Sequence, residues 1–198
     1  MISIVNYQAS NLRSVKKALD YLGFESEITM DPDAVHRADK VILPGVGHFA
    51  ATAKLDSTGL RCAIQDAVTR GTPFLGICVG LQWMFAASEE APQTAGLALF
   101  GGSCRRFPPG AKVPHVGWNS LEIIAPSRLL AGVPSGAFVY FTHSYRPPVC
   151  DNTVATTDYQ GPFTAVVERD NVFGVQFHPE KSGDTGLRIL KNFGEIKC

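Results

Sequence analysis

A cysteine stands between two glycines in the segment Gly76-Ile77-Cys78-Val79-Gly80. An apolar run precedes this segment, and a helix-like apolar run over 81–87 follows it. A strand, a sharp turn that carries a reactive side chain and a helix make up a nucleophile elbow, in which the flanking positions must be small. At a helix N-terminus Cys78 would favour the thiolate, and the first helical amides could receive an oxyanion. The alternative is that Cys78 is a buried core cysteine.

A cysteine nucleophile needs a base, and the sequence offers five histidines, at positions 36, 48, 115, 143 and 178. His178 differs from the others because it ends the apolar run 172–177, and sites in α/β sheets lie where strands end. Pro179 breaks the predicted strand there, and Glu180 follows. A carboxylate two residues on can orient the imidazole and stabilise its charged form, as in a Cys-His-acid triad. We therefore predict Cys78, His178 and Glu180 as the catalytic group.

The elements that position these residues are clearest before Glu90. The residue patterns predict strands over 2–5, 24–29, 41–43 and 74–75, and helices over 11–22, 31–38 and 59–69. Ser10 or Asn11 is the candidate N-cap of the first helix. Alternation of this kind predicts a parallel sheet covered on both faces, with sites at the carboxyl ends of its strands. The elbow and a Gly-rich turn over 44–49 both fall at such ends.

The second half of the chain has a different pattern of predicted secondary structure. Short strands are predicted over 103–107, 116–124, 137–141, 153–157, 163–168 and 172–177, separated by Pro and Gly turns, and a last helix over 184–193. Short strands joined by tight turns favour antiparallel or mixed pairing. We therefore predict one α/β domain over 1–198, with a mixed, mainly parallel central sheet flanked by helices.

Composition excludes several classes of protein. The 198 residues are 45% hydrophobic, and 18 Lys and Arg balance 18 Asp and Glu, which argues against nucleic acid or an anionic membrane as partner. We expect no signal peptide, and no apolar run reaches the roughly 20 residues that span a bilayer. The five cysteines (62, 78, 104, 150 and 198) are odd in number and lack CxxC spacing. We therefore expect a reducing, cytoplasmic compartment, with no disulfide framework and no metal site.

Two motifs together carry a family resemblance. The pattern Gly76-x-Cys78-x-Gly80-x-Gln82, followed by His178-Pro179-Glu180, resembles the triad-type (class I) glutamine amidotransferases, and the turn Pro44-Gly45-Val46-Gly47 is similar to their oxyanion strand. The resemblance runs the whole length of the chain. It implies that Cys78 attacks the side-chain amide of glutamine, that His178 passes the proton to departing ammonia, and that no cofactor takes part.

The same resemblance assigns further residues. Backbone amides of Gly45, Val46, Gly47 and Val79 would stabilise the tetrahedral oxyanion. The head of the glutamine substrate would be held by Gln82, Glu90, His143 and Ser144. Taken alone, Gln82 is also an ordinary polar helix position, and Glu90 an ordinary solvated charge at a helix end.

Within that family the chain is similar to the glutaminase subunits of imidazole glycerol phosphate synthases. The similarity rests on the segments 113–119, 140–145 and 174–182 and on Asn11-Leu12-x-Ser14-Val15. It implies a heterodimer with a (βα)8-barrel cyclase subunit that consumes the ammonia. The candidates for the partner face are Trp118, Asn119, Tyr140 and Lys181. We also expect the turn at Val46 to be wrongly set until the partner is liganded, because glycines on both sides permit a peptide flip.

One segment departs from the family pattern. The first turn reads Asn6-Tyr7-Gln8-Ala9-Ser10, where the family usually has an acidic residue and glycines. Three alternatives stay open at this point: a glutaminase subunit for anthranilate or pyridoxal phosphate synthesis, a cysteine peptidase or esterase of related fold, and a non-catalytic scaffold. The 113–119 segment argues against the first, the Gly-x-Gly turn together with Gln82 against the second, and an intact triad against the third.

Overall fold

A computed structural model describes residues 1–8, 11–110 and 112–197 of the chain. The first half alternates strands and helices in the order β1 (Ile2–Val5), α1 (Leu12–Tyr21), β2 (Ser26–Thr29), α2 (Pro32–Arg37), β3 (Lys40–Gly45), α3 (Lys54–Ser57), α4 (Leu60–Thr69), β4 (Phe74–Cys78) and α5 (Val79–Trp83). A 3₁₀ helix, Phe49–Ala53, follows β3.

The second half is mainly strands. They run β5 (Phe85–Ser88), β6 (Phe100–Arg106), β7 (His115–Ser120), β8 (Glu122–Ile123), β9 (Phe138–His143), β10 (Tyr145–Arg146), β11 (Thr153–Asp158), β12 (Pro162–Arg169) and β13 (Val172–Val175). The 3₁₀ helix Pro179–Lys181 and the helix α6 (Gly183–Glu195) follow. No helix among the described residues is both long and apolar enough to cross a membrane.

Eight strands form the central sheet, in the order β2-β1-β3-β4-β13-β12-β11-β8. The five strands from β2 to β13 are parallel, and β12, β11 and β8 add antiparallel pairs. Smaller sheets pair β10-β6-β5 and β7-β9. The predicted α/β class and the mixed, mainly parallel sheet are therefore confirmed.

The apolar runs explain which strands lie at the centre. Residues of β3 and β4 from Val41 to Leu43 and from Phe74 to Ile77 are buried without alternation, as expected of parallel strands covered on both faces. Helix α1 turns only Val15 and Leu19 fully inward, at the helical spacing of four. The core therefore lies on both sides of the strands that end at the elbow.

The structure corrects three local predictions. The helix predicted over 81–87 ends at Trp83, because the chain from Phe85 pairs with β6. The strand predicted over 116–124 is two strands, β7 and β8, in different sheets. Asn11 precedes α1 in the left-handed region, at φ 75°, and its side chain does not cap the helix. The alternative cap Ser10, like Ala9 of the first turn, lies outside the described residues.

Candidate active site

The elbow is a real strained turn between β4 and α5. Cys78 has φ 54° and ψ −107°, a backbone conformation that a non-glycine residue adopts only at a cost. Gly76 and Gly80 do not have positive φ, so their size matters for another reason. A Cβ on Gly76 would lie 2.6 Å from the Gly80 carbonyl oxygen, and a Cβ on Gly80 would overlap the Leu43 carbonyl oxygen. The glycines therefore allow β3, β4 and α5 to approach closely beneath Cys78.

Sheet pairing brings the predicted base to the nucleophile. Strand β13 lies next to β4, with Val175 opposite Ile77, so the chain leaving β13 passes Cys78. His178 Nδ1 lies 2.8 Å from Glu180 Oε1, and both side chains are fully buried. His178 Nε2 approaches the Cys78 sulfur without forming a hydrogen bond of regular geometry. The three residues predicted as a triad are therefore together, in the order sulfur, imidazole, carboxylate.

The electrostatics favour an imidazolium next to the sulfur. Burial by itself lowers the pKa of His178, since it penalises the charged ring. The negative charge of the nearby Cys78 sulfur, and after it the hydrogen bond and charge of Glu180, together outweigh burial and raise the pKa to about 10. Asn11 donates a side-chain hydrogen bond to the same oxygen of Glu180 that faces the ring. At neutral pH the site therefore holds a proton on His178.

The predicted oxyanion turn lies directly beside the elbow. Gly45 is opposite Cys78 in the β3–β4 register, and Gly47 has φ 101°. The space that a Cβ on Gly45 would need is taken by the Tyr7 hydroxyl, at 2.5 Å, and by Val79 Cβ, at 2.7 Å. The Tyr7 hydroxyl is buried and has no hydrogen-bond partner among the residues that the structure describes, and its pKa is raised by burial and by the charge of Cys78. Tyr7, from the unusual first turn, thus packs against the backbone that carries Gly45.

A cavity of about 230 Å³ opens in front of the sulfur. Eight predicted site residues line it: Val46, Gly47, Cys78, Val79, Gln82, Glu90, His143 and Ser144. Gly45, His178 and Glu180 do not line it. Three residues that the sequence did not single out, Pro114, Thr142 and Tyr145, complete the wall. The volume is of the order that a small amino acid requires.

Two of the predicted glutamine contacts already have partners of their own. Gln82 Nε2 donates to the Tyr145 carbonyl, at 2.9 Å, and to Gln176 Oε1, at 3.1 Å. Glu90 Oε2 accepts from the Phe49 amide at 2.7 Å, which ties the wall to the 3₁₀ helix after the oxyanion turn. A contact of Gln82 with substrate would have to use its oxygen.

The ring of His143 is likewise committed to the protein. Its Nδ1 lies 2.9 Å from the Tyr145 carbonyl, and its Nε2 lies 3.0 Å from His115 Nδ1. His115 stacks on Tyr159 with ring centroids 4.1 Å apart. Burial lowers the pKa of His143 to about 3 and that of His115 to about 4. Both rings are therefore neutral at physiological pH, and a contact of His143 with substrate would have to come from its backbone.

Comparison with known proteins agrees with this geometry. Residues 3–196 match the family model described as "Glutamine amidotransferase class-I". The chain belongs to the class-I glutamine amidotransferases. It is 50% identical to imidazole glycerol phosphate synthase subunit HisH of Moorella thermoacetica, with 98% of this chain and 94% of that one covered. It is 48% identical to the HisH subunit of Methanothermobacter thermautotrophicus, with 99% and 98% covered.

Solved structures agree on the fold of a class-I amidotransferase. A crystal structure of a glutamine amidotransferase superposes with a TM-score of 0.78 at 18% identity, covering 98% of this chain and 99% of that one. PurLQS from Thermotoga maritima gives a TM-score of 0.75 at 21% identity, with 97% and 96% covered. At these identities the likeness shows the fold alone.

The predicted partner residues of this amidotransferase do not all share one face. Strands β7 and β9 pair antiparallel, with Trp118 opposite Tyr140, and their rings meet edge to face at 6.0 Å. Trp118 is 55% exposed, and Lys181 is also exposed. Asn119 points to the other side of β7, where its amide donates to the Asp158 carbonyl at 3.0 Å. Trp118 and Tyr140 therefore form the candidate face, with Asn119 behind it.

Sequence reasoning missed two polar residues that support the amidotransferase site. Ser182 donates to the His178 carbonyl at 2.7 Å and accepts from the Tyr140 amide at 2.9 Å. Gln176, fully buried, donates to the Cys78 sulfur at 3.6 Å. A signal for Gln176 was present, because residues two apart on an extended segment face the same side and His178 was already identified.

Proposed function

We propose that this chain is the glutaminase subunit of an imidazole glycerol phosphate synthase. It hydrolyses glutamine to glutamate and ammonia, and it passes the ammonia to a (βα)8-barrel cyclase subunit. That partner makes imidazole glycerol phosphate and an aminoimidazole carboxamide ribotide, in the biosynthesis of histidine. The observation that carries the proposal is the identity of 48–50% with HisH subunits over almost the whole of both chains.

The mechanism follows from the arrangement of Cys78, His178 and Glu180. The Cys78 sulfur attacks the side-chain amide carbon of glutamine, and the oxyanion that forms accepts hydrogen bonds from backbone amides of Val46 and Val79. His178, held by Glu180, gives its proton to the departing ammonia. A water molecule then loses a proton to His178 and attacks the thioester, which releases glutamate and returns the sulfur as thiolate. Each oxyanion donor is worth about 3–4 kcal/mol in such reactions.

The surface next to the cavity supports a partner at this position. Val116, Trp118 and Phe138 are 54%, 55% and 57% exposed on one side of the β7–β9 sheet, an unusual density of large apolar side chains. Thr142, which lines the cavity, lies on the same side of β9 two positions beyond Tyr140. A cyclase subunit on this face would cover the place where ammonia is released.

Strand β9 also connects that face to the triad. The Tyr140 carbonyl accepts a hydrogen bond from the His178 amide at 2.9 Å. The Tyr140 amide donates a hydrogen bond to the Ser182 hydroxyl. A movement of Tyr140 on partner binding would therefore move the base.

We further propose that the turn at Val46 adopts its productive setting only with the liganded partner. Structures of the free and the liganded complex with one identical turn would refute this.

The compartment and the domain organisation are also proposals. The described cysteines, Cys62, Cys78, Cys104 and Cys150, are all free, which is typical of a reducing compartment such as the cytoplasm. Residues 1–198 would act as one domain, because the central sheet takes neighbouring strands from both halves of the chain.

The test is glutamate release from glutamine by the chain alone, with a cyclase subunit, and with that subunit and its ribotide ligand. We expect little release alone and a large rise in the liganded complex. The Cys78→Ala variant should release no glutamate in any condition, whereas Cys62→Ala, at an exposed thiol on α4, should behave as the wild type. Strong release that is indifferent to the cyclase would favour another amidotransferase. Release by Cys78→Ala would overturn the proposed chemistry.

A further inference from the structure

Behind the nucleophile lies a carboxamide that the mechanism above does not use. Gln176 is completely buried, just after β13, and its Nε2 lies 3.6 Å from the Cys78 sulfur. This is a normal hydrogen-bond distance for the large sulfur atom. The backbone amide of Gln176 donates to the Ala165 carbonyl at 2.9 Å, so the neighbouring strand β12 holds the residue in place.

The orientation of this carboxamide is fixed by Gln82. The Gln82 side-chain nitrogen donates to Gln176 Oε1 at 3.1 Å, and its second hydrogen goes to the Tyr145 carbonyl at 2.9 Å. Because the oxygen of Gln176 already accepts from Gln82, its nitrogen must face the sulfur. A reversed carboxamide would set two donors against each other in a buried site, which costs the full desolvation of an unpaired group.

Neither the Thr142 carbonyl nor His178 stabilises negative charge on the Cys78 sulfur throughout the reaction. The Thr142 carbonyl oxygen lies 3.9 Å from Cys78 Sγ and can only accept, so it favours a thiol and disfavours a thiolate. His178 must give its proton to ammonia during the reaction, so it cannot stabilise the sulfur at every step. An amide N–H keeps its hydrogen throughout, and it stabilises negative charge on sulfur whenever that charge is present.

We propose that Gln176 is a further catalytic residue, whose carboxamide donates a hydrogen bond to the Cys78 sulfur, and that Gln82 is its positioning residue. When the sulfur attacks, its electron pair forms the S–C bond and the hydrogen bond weakens. When water forms the new C–O bond and the S–C bond breaks, the pair returns to sulfur and the hydrogen bond is restored. The donor therefore stabilises the Cys78 thiolate before it attacks, and again when it leaves as the S–C bond breaks. The proposal rests on the proposed role of Cys78 as nucleophile.

The experiment measures the sulfur without glutamine or partner. The rate of alkylation of Cys78 by iodoacetamide is followed as a function of pH, by peptide mass spectrometry so that the exposed Cys62 is counted separately. Methionine in Gln176→Met has a similar size but no donor. We expect the alkylation rate of Cys78 at neutral pH to fall about tenfold, the usual effect of losing a hydrogen bond to a charged group. We also expect the midpoint of the plot of alkylation rate against pH to move to higher pH. Gln65→Met, on helix α4, is the matched control and should change neither.

A second variant separates this role from simple packing. Gln82→Met leaves the donor in place but removes its orientation, so we expect a shift in the same direction that is smaller than for Gln176→Met. If Gln176→Met does not fold, as judged by its thermal unfolding, Gln82→Met decides the question. If Gln176→Met folds and its alkylation profile equals that of the wild type, the inference is overturned. If Gln176→Met does not fold, a wild-type profile for Gln82→Met overturns it. This result is independent of glutamate release, so a failure of the proposed function would be recognised separately, in the Cys78→Ala assay.

Discussion

The contact between Gly76 and the first turn of α5 allows one prediction to be worked through from distances. A Cβ at position 76 would lie 2.6 Å and 2.7 Å from the carbonyl oxygen and carbon of Gly80, whereas ordinary contacts begin at 3.4 Å. The obstacle is backbone, so Gly76→Ala must push α5 away from β4 by several tenths of an ångström. Overpacking of this kind costs about 1–3 kcal/mol of the free energy of unfolding.

The same displacement should reach the chemistry, because Cys78 is the residue that joins β4 to α5. Misplacement of a reacting group by 1 Å can cost about a hundredfold in rate. If Cys78 moves by about half an ångström, kcat/KM for glutamine should therefore fall about tenfold. Urea unfolding measures the first effect and glutamate release by the liganded complex the second. Gly101→Ala is the matched control, since a Cβ there meets no atom of the described residues within 4 Å. A Gly76→Ala variant as stable and as active as Gly101→Ala would refute the reasoning.

Two more predictions follow from the triad and the partner face. The charge of Cys78, and after it the hydrogen bond and charge of Glu180, hold the pKa of His178 near 10. Glu180→Gln removes the charge of Glu180 but keeps an oxygen acceptor, so the alkaline limb of glutamate release should move to lower pH; an unmoved limb in a pH–rate profile would contradict the triad. In the wild type the interactions of the His178 imidazolium with Cys78 and then with Glu180 stabilise the fold fully below pH 6.5, the ordinary pKa of the ring, and the contribution is lost as pH rises through about 10. Trp118→Ala should weaken cyclase binding by at least about 2 kcal/mol in titration calorimetry, whereas Tyr21→Ala, an aromatic residue that is more exposed than Trp118 and lies on helix α1, should leave the affinity unchanged.

The elbow and the parallel half of the sheet were predictable because their signals are local. Continuous apolar runs mark β3 and β4, and the small residues around Cys78 mark a close approach of backbone segments. The catalytic partner was found for the same reason, since His178 ends an apolar run. Each of these inferences needed only a short window of sequence.

The remaining details depend on pairing between distant segments. Phe85 leaves the helical pattern only because β6 offers it backbone hydrogen bonds. Asn11 has the side chain of a helix cap, but it donates to Glu180, which is 169 residues away in the sequence. His143 could be recognised as a residue near the site, yet the pairing of its ring with His115 depends on the register of β7 and β9. No pattern within either segment specifies these partners.

The position of β13 between β4 and β12 has a consequence for how the chain becomes active. The hydrogen bond from Gln176 to Cys78 joins residues separated by 98 positions, and every contact of His178 with the elbow has a similar span. Contacts of high sequence separation form late and slow the folding of a domain. At ribosomal speeds of about 5–20 residues per second, Cys78 is synthesised some 5–20 s before His178. A nascent chain therefore carries the nucleophile without the means to use it, and glutamine is not consumed by molecules that are still being made.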